Sequence, residues 1–321
     1  MRFHRLDLNL LVALDALLTY QNVTRAAEQL NLSQSALSGA LARLREHFND
    51  ELVVLVGRRM EPTPLAQSLA EPLHDLLLKT KALITAKPSF DPRTSERRIS
   101  LVASDYATEL LVTNVLMEMA QQAPHIKVAL EETTTETFEK FDRGEINFII
   151  VPDGLAFQRH PRVHLFDERY VCVVWTENSL VGDSLSTDQY QTMPHVVRYS
   201  KGSLQRTFEQ RFLDQFGYHR NETVTVPAFT LVPKLVVGTD RIATVHARLA
   251  ELYARVLPLR IVTPPFEFPV LGEVLQWHRH EEDDPCLAWF RRMIKNAANS
   301  SLGIDQGIDQ GIDNADACYP N

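Results

Sequence analysis

The chain has 321 residues, 45% of them hydrophobic and 23% charged, with a formal net charge of −8; this suits a protein with two or three buried cores and excludes a disordered or fibrous one. The acidic balance argues against a generally basic nucleic-acid binder, so any DNA affinity must come from local placement of Arg25, Arg43, Arg45, Arg58 and Arg59. Cys172, Cys286 and Cys318 are too scattered for a disulfide framework or a zinc ribbon, and the Leu6–Leu18 apolar stretch is short and broken by Asp7 and Asp15, so a cytoplasmic protein with no membrane partner is expected.

Leu8, Leu11, Val12, Asp15 and Leu18 mark one side of a first helix ending near Tyr20-Gln21-Asn22. Two short helical patterns follow, Val23 to Leu30 and Gln34 to about Phe48, separated by Asn31-Leu32-Ser33. Ser33 is placed to cap the second, and the small Ala26 and Ala27 let the two helices cross steeply. This is the pattern of a helix-turn-helix. The opposite side of the second helix carries Gln34, Ser35, Ser38, Arg43 and Arg45, with no acid before Glu46. Gln pairs bidentately with adenine and Ser reaches several base edges, so Gln34, Ser35 and Ser38 are assigned to base reading. Arg43 and Arg45 lie further along and are assigned to the sugar-phosphate backbone; Thr24 and Arg25, at the start of the first short helix, join the DNA-binding set with Ser33.

After the Asn49-Asp50 turn, Leu52-Val53-Val54-Leu55-Val56, Gly57 and Arg58-Arg59-Met60 read as a two-stranded wing with Arg58 and Arg59 near its tip or return strand. Pro62-Thr63-Pro64 opens a long helix in which Leu69, Leu76 and Leu83 recur at seven-residue steps, with Leu65, Leu73 and Thr80 between them. Such a seam calls for a partner helix. The prolines of Lys87–Pro92 mark a hinge.

Beyond it the texture becomes alternating strands and helices. Strands are expected at Ile99–Ala103, Ile126–Leu130 and Ile146–Val151, with helices after Ser104-Asp105 and after Thr133-Thr134-Thr135, giving a parallel βαβαβ unit. One long strand, Val163–Trp175, would cross to a second lobe with strands near 195–199, 223–226 and 241–245 and helices at 204–216 and 246–256. Leu271–His278 would return to the first lobe, and Asp284-Pro285 would start a last helix with Trp289, Met293 and Ile294 inward. The Gly/Asp/Gln repeat after Ser301 cannot bury a face and is expected to be disordered. Ligands of such sheets lie at strand carboxyl ends beside helix starts, which selects Ser104, Tyr106, Thr133, Thr134, Lys201, Gly202, Ser203, Phe229 and Arg248.

The run Ala26-Ala27-Glu28-Gln29-Leu30-Asn31-Leu32-Ser33-Gln34-Ser35-Ala36-Leu37-Ser38 resembles the signature of LysR-type transcriptional regulators. The opening Met1–Leu11 looks like the branch of rhizobial nodulation activators and regulators of aromatic-compound degradation. The resemblance implies an α/β chain in three parts: a winged helix-turn-helix over residues 1–62, a linker helix and hinge over 63–97, and a two-lobed, periplasmic-binding-protein-like effector domain over 98–300. Lobe I would hold about 98–164 and 270–300, lobe II about 165–269. It also implies a homodimer through Leu65, Leu69, Leu73, Leu76 and Leu83 of the linker helix, assembly to a tetramer, and promoter DNA, RNA polymerase and a small aromatic effector as partners. An activator without catalysis, cofactor or metal follows. Arg45 stands where many relatives carry Glu, which leaves its role open, and the glycine often found after the Thr-Pro is missing.

Two other classes compete. His278 and His280 with Glu281, Glu282, Asp283, Asp284 and Cys286 could form a metal site in a solute-binding or enzymatic α/β protein with an incidental helical N-terminus, although no His-Glu-x-x-His, Walker or Gly-x-Ser-x-Gly motif occurs. A ligand-blind repressor or architectural DNA-binder is the third possibility.

Overall fold

The computed structural model describes residues 2–3, 6–56, 59–85, 90–199 and 207–301. The chain divides into two compact units between residues 88 and 89. In the first, the short strands β1 (Arg2–Phe3) and β2 (Leu6–Asp7) pair antiparallel ahead of α1 (Asn9–Tyr20). Next come α2 (Val23–Gln29), α3 (Gln34–Phe48), the antiparallel hairpin β3 (Val53–Val56) and β4 (Arg59–Pro62), and α4 (Pro64–Thr85). Leu10, Ala13, Leu14 and Leu17 of α1 meet Leu37, Ala40, Leu41 and Leu44 of α3 in one buried cluster, each set recurring at three- and four-residue steps. Ala26 and Ala27 are fully enclosed where α2 crosses, as small residues at a close helix contact must be. Asn22 caps α2 by accepting the Arg25 N–H at 3.1 Å, and Ser33 caps α3 by accepting that of Ala36 at 3.1 Å.

The seven-residue seam of α4 splits between two environments. Leu73 is 6% exposed and belongs to this unit's own core, with Leu77 half-buried beside it. Leu69 is half-buried, whereas Leu65, Leu76 and Leu83 are open, Leu83 at 78%. Helical spacing puts Leu65, Leu69, Pro72, Leu76 and Leu83 on one stripe and turns Leu73 toward α1. His74 pairs with Asp15 at 3.1 Å and fixes that orientation.

The second unit begins with β5 (Arg98–Val102), and α5 (Asp105–Ala107) runs through a π-helical turn at Thr108–Val112 into α6 (Thr113–Gln122). Then come β6 (Lys127–Glu131), α7 (Thr135–Asp142), β7 (Phe148–Pro152), β8 (Arg162–Glu168) and β9 (Tyr170–Trp175). The remainder is α8 (Thr187–Thr192), β10 (Pro194–Arg198), α9 (Phe208–Gln215), β11 (Asn221–Val226), β12 (Ile242–His246), α10 (Ala247–Ala254), β13 (Leu259–Val262), β14 (Leu271–Trp277) and α11 (Pro285–Ser301). Two five-stranded sheets result, ordered β6-β5-β7-β14-β8 in lobe I and β11-β10-β12-β9-β13 in lobe II.

β5 is parallel to β6 and β7, and β14 returns antiparallel between β7 and β8. The expected single strand over 163–175 is two strands in different sheets. The Glu168 carboxylate accepts the N–H of Arg169 at 2.8 Å, so the ladder breaks there and the chain passes from one lobe to the other. Asp284 accepts the N–H groups of Cys286 and Leu287 at 3.0 Å each and starts α11, whose Trp289, Met293 and Ile294 are buried.

Candidate functional site

Two surfaces bring together the side chains that the sequence singles out. On the first unit, Gln34, Ser35, Ser38 and Arg43 are all exposed along α3, and so are Ser33 at its cap and Thr24 and Arg25 on α2. Gly39 and Ala42 lie among them, and a Cβ on Gly39 would meet nothing within 4 Å. The apolar side of α3 is spent on the core, so a polar strip faces outward, with the Ser33 and Ser35 hydroxyls hydrogen-bonded to each other at 3.0 Å. Arg45 is the exception. Its guanidinium donates to the Glu51 and Val53 carbonyls at 2.9 Å each and is 3.1 Å from the Glu51 carboxylate. The backbone of Arg59 lies in β4; Arg58 falls outside the described residues.

On the second unit, the carboxyl ends of β5 and β12 converge between the lobes. Tyr106, 1% exposed, stacks on His246 with ring centroids 4.1 Å apart and meets Phe229 edge-on at 6.4 Å; its hydroxyl donates to Glu168. Asp105 accepts the N–H groups of Phe229 at 3.2 Å and Thr230 at 2.7 Å, tying lobe I to lobe II. The Arg198 guanidinium lies 4.6 Å from the Phe229 ring centre.

Burial dominates the electrostatics here. It pushes the Glu273 carboxyl up to about 8, helped by the negative charge of Glu168, and raises Glu168 itself despite the Tyr106, Arg169 and Arg248 donors. Burial also lowers His246 to about 3, so its imidazole stays neutral, with Nδ1 lacking a hydrogen-bond partner among the described residues.

Residues 8–67 match the bacterial regulatory helix-turn-helix model of the lysR family, and residues 92–299 match the LysR substrate binding domain. The chain belongs to the LysR family of transcription regulators. Nodulation protein D 1 of Bradyrhizobium diazoefficiens is 40% identical over 306 residues, 95% of this chain and 98% of that one. Nodulation protein D 3 of Mesorhizobium japonicum is 38% identical over 299 residues, 93% and 99% of the two chains. Among solved structures, a probable transcriptional regulator from Pseudomonas aeruginosa is 28% identical, covers 91% of this chain and 97% of its own, and superposes with a TM-score of 0.60. Full-length OxyR from the same organism shares the fold at 15% identity, with a TM-score of 0.62 and 93% and 96% coverage.

Within this LysR regulator the residues selected for effector binding fall into different environments. Ser104 and Thr134 are helix caps, accepting the N–H groups of Ala107 and Thr137 at 3.1 Å each. Thr133 has a buried hydroxyl without a partner among the described residues. Tyr106 and Phe229 enter the aromatic cluster, and Arg248 is drawn to Glu168 at 3.8 Å and to the Asp167 carbonyl at 3.3 Å. Lys201, Gly202 and Ser203 lie outside the described residues, as do Gly57, the 86–89 part of the hinge and the repeat tail from 302.

Local sequence pattern does not single out Glu168, Arg198 or His246, which the fold brings to the interlobe cleft with Glu273. A signal existed for Glu273, an acid that shares the inward side of its strand with Leu271, Leu275 and Trp277. His278, 2% exposed, packs its ring 4.4 Å from that of His160, and Asp284 pairs with Arg97 at 2.7 Å. Among the described residues no group of three or more His, Cys, Asp or Glu is arranged to hold a metal ion, and no helix is long and apolar enough to cross a membrane.

Proposed function

We propose that this regulator is an activator working in the cytoplasm without catalysis, whose α3 enters the major groove and whose interlobe cleft takes a small aromatic inducer. The observation that carries the reading is the outward polar strip of α3 over a fully apolar inner side. Gln34, Ser35 and Ser38 read bases, Ser33 sets the helix start, and Thr24, Arg25, Arg43, Arg58 and Arg59 hold phosphates. Leu65, Leu69, Leu76 and Leu83 pair with a second linker helix, and two such dimers form a tetramer that presents the heads to promoter DNA and RNA polymerase. Domain limits of 1–62, 63–97 and 98–300 organise these roles.

For the inducer, a phenol fits the cleft better than an aromatic acid. Arg248 is committed to Glu168, and Arg198 feels Asp105, Glu209 and Glu132. The remaining groups, the Thr133 hydroxyl and the neutral His246 Nδ1, suit a hydroxyl between aromatic walls. Cleft closure on the inducer would then shift how the paired heads sit on DNA. The regulated genes are those for degradation of aromatic compounds. The names of relatives at 38–40% identity favour a second set, genes of nodulation.

The test is an electrophoretic shift on the promoter beside the gene, with and without phenols, benzoates and flavonoids. Steeply salt-dependent binding is expected, and Gln34→Ala should lose about 1–3 kcal/mol of sequence discrimination. Binding that ignores salt and sequence sinks the DNA reading; calorimetry of the full chain with no heat from any compound sinks the inducer.

A further inference from the structure

The wing is anchored to the first unit by very little apolar surface. Leu52 and Val53 are fully buried and Met60 packs partly buried against the same core, but Val54, Leu55 and Val56 are exposed, Leu55 at 71%. Its strands therefore project from the core, and their direction is set at the base. That base is a four-residue link, 49–52, carrying two non-glycine residues in the left-handed region, Asn49 at φ 49° and Leu52 at φ 60°. A branched leucine there needs its neighbours held.

Polar ties surround it on every side. Arg45 donates to the carbonyls of Glu51 and Val53, the two residues flanking Leu52. The Asp50 carboxylate accepts the Leu52 N–H at 2.7 Å and the Thr63 hydroxyl at 2.6 Å. Thr63 returns its own N–H to the Leu52 carbonyl at 2.9 Å and caps α4 by accepting the Ala66 N–H at 3.2 Å. One knot thus joins α3, both wing strands and α4.

We propose that Arg45 is a positioning residue for DNA recognition: it locks the wing at a fixed offset from α3, so that wing contacts and base contacts fall in register on one duplex. Arg45 touches no base and no phosphate in this role. The planar guanidinium suits it because two donors at fixed spacing reach two carbonyls at once, which a lysine ammonium on a flexible stem does not reproduce. Asp50 is the second half of the lock. The inference rests on α3 being the groove-reading helix.

The experiment compares the full-length wild type with R45K and D50A by hydroxyl-radical footprinting and by salt-dependent affinity on the same promoter, with the thermal transition of each protein recorded. R45K keeps the charge and D50A removes a negative one together with the acceptor for Leu52 and Thr63, so electrostatics alone predicts unchanged and tighter binding. The lock predicts that both variants bind about tenfold more weakly with a shallower salt slope, as one or two wing phosphate contacts are lost. Protection is expected to vanish at the flanks facing the wing and to persist at the half-site centres facing α3. A wild-type footprint in R45K, or tighter binding by D50A, overturns the proposal. So does parallel loss of flank and centre protection with the thermal transition, which would make Arg45 a folding residue only. If Gln34→Ala leaves the footprint and sequence preference intact, the groove-reading assignment fails instead, and the lock is judged separately from the R45K flanks.

Discussion

Glu273 gives the sharpest quantitative consequence of the second unit's architecture. Its carboxyl, 4% exposed beside Glu168, ionises near 8 in the folded chain rather than at its ordinary 4.5. Below pH 4.5 both folded and unfolded chains hold the proton and stability is unaffected. Between 4.5 and 8 the unfolded chain releases a proton that the folded chain keeps, so stability falls as pH rises, and the loss levels off above 8. Three and a half pH units at about 1.36 kcal/mol each give a ceiling of about 5 kcal/mol. Glu168 shares the repulsion, so a loss of about 2–5 kcal/mol is the working range. Glu273→Gln keeps the shape and cannot ionise. Trp175, Trp277 and Trp289 all lie in the second unit, so urea unfolding followed by tryptophan fluorescence reports that unit alone. From pH 5 to 9 the wild-type midpoint should drop relative to that of the variant, which should become the more stable protein at pH 8. Parallel midpoint curves for the two proteins over that range would refute the reasoning.

Further outcomes follow from single residues. His246→Phe keeps the stack on Tyr106 and removes an imidazole whose folded value lies near 3. Wild type should lose stability as pH falls below 6.5, because the unfolded imidazole takes a proton that the buried one refuses; the variant should lose less in urea melts at pH 5. Leu73→Ala should destabilise the first unit by about 2–4 kcal/mol in circular-dichroism melts, because Leu73 fills its core. Leu83→Ala, by contrast, should leave that melt nearly unchanged at low protein concentration and shift sedimentation toward monomer. Gly39→Ala should stabilise the first unit by about 0.5–1 kcal/mol, since the added methyl meets open space in a helix interior.

What the amino-acid order discloses is mostly local. Ser33, Thr134 and Asp284 cap their helices as short-range chemistry requires. The spacing in α1 points to Leu8, Leu11, Val12, Asp15 and Leu18, but the helix is turned so that Leu10, Ala13, Leu14 and Leu17 fill the core and Val12 is exposed. The break at Arg169 was hidden because an apolar run reads alike whether it stays in one sheet or changes sheets. Apolar spacing likewise groups Leu73 with Leu69, Leu76 and Leu83 as one seam for a partner helix, although Leu73 faces the chain's own core. Glu168 and Glu273 meet across more than a hundred residues of sequence, and the fate of Arg248 depends on that meeting. Arg45 looked like one more cation on a basic helix. Its partners at Glu51 and Val53 become visible only once the link at 49–52 is folded.

The central claim is that the polar strip of α3 lies in the duplex. Ala42, exposed among those residues, can be replaced by cysteine and loaded with a chelated-iron cleavage reagent, with Cys318 changed to serine and the buried Cys172 and Cys286 left in place. On the promoter, cleavage should fall inside each half-site with the strand offset of a major-groove probe, and an excess of unlabelled promoter should abolish it. Uniform cleavage along the fragment, or none within the site that the same protein protects, would contradict the account.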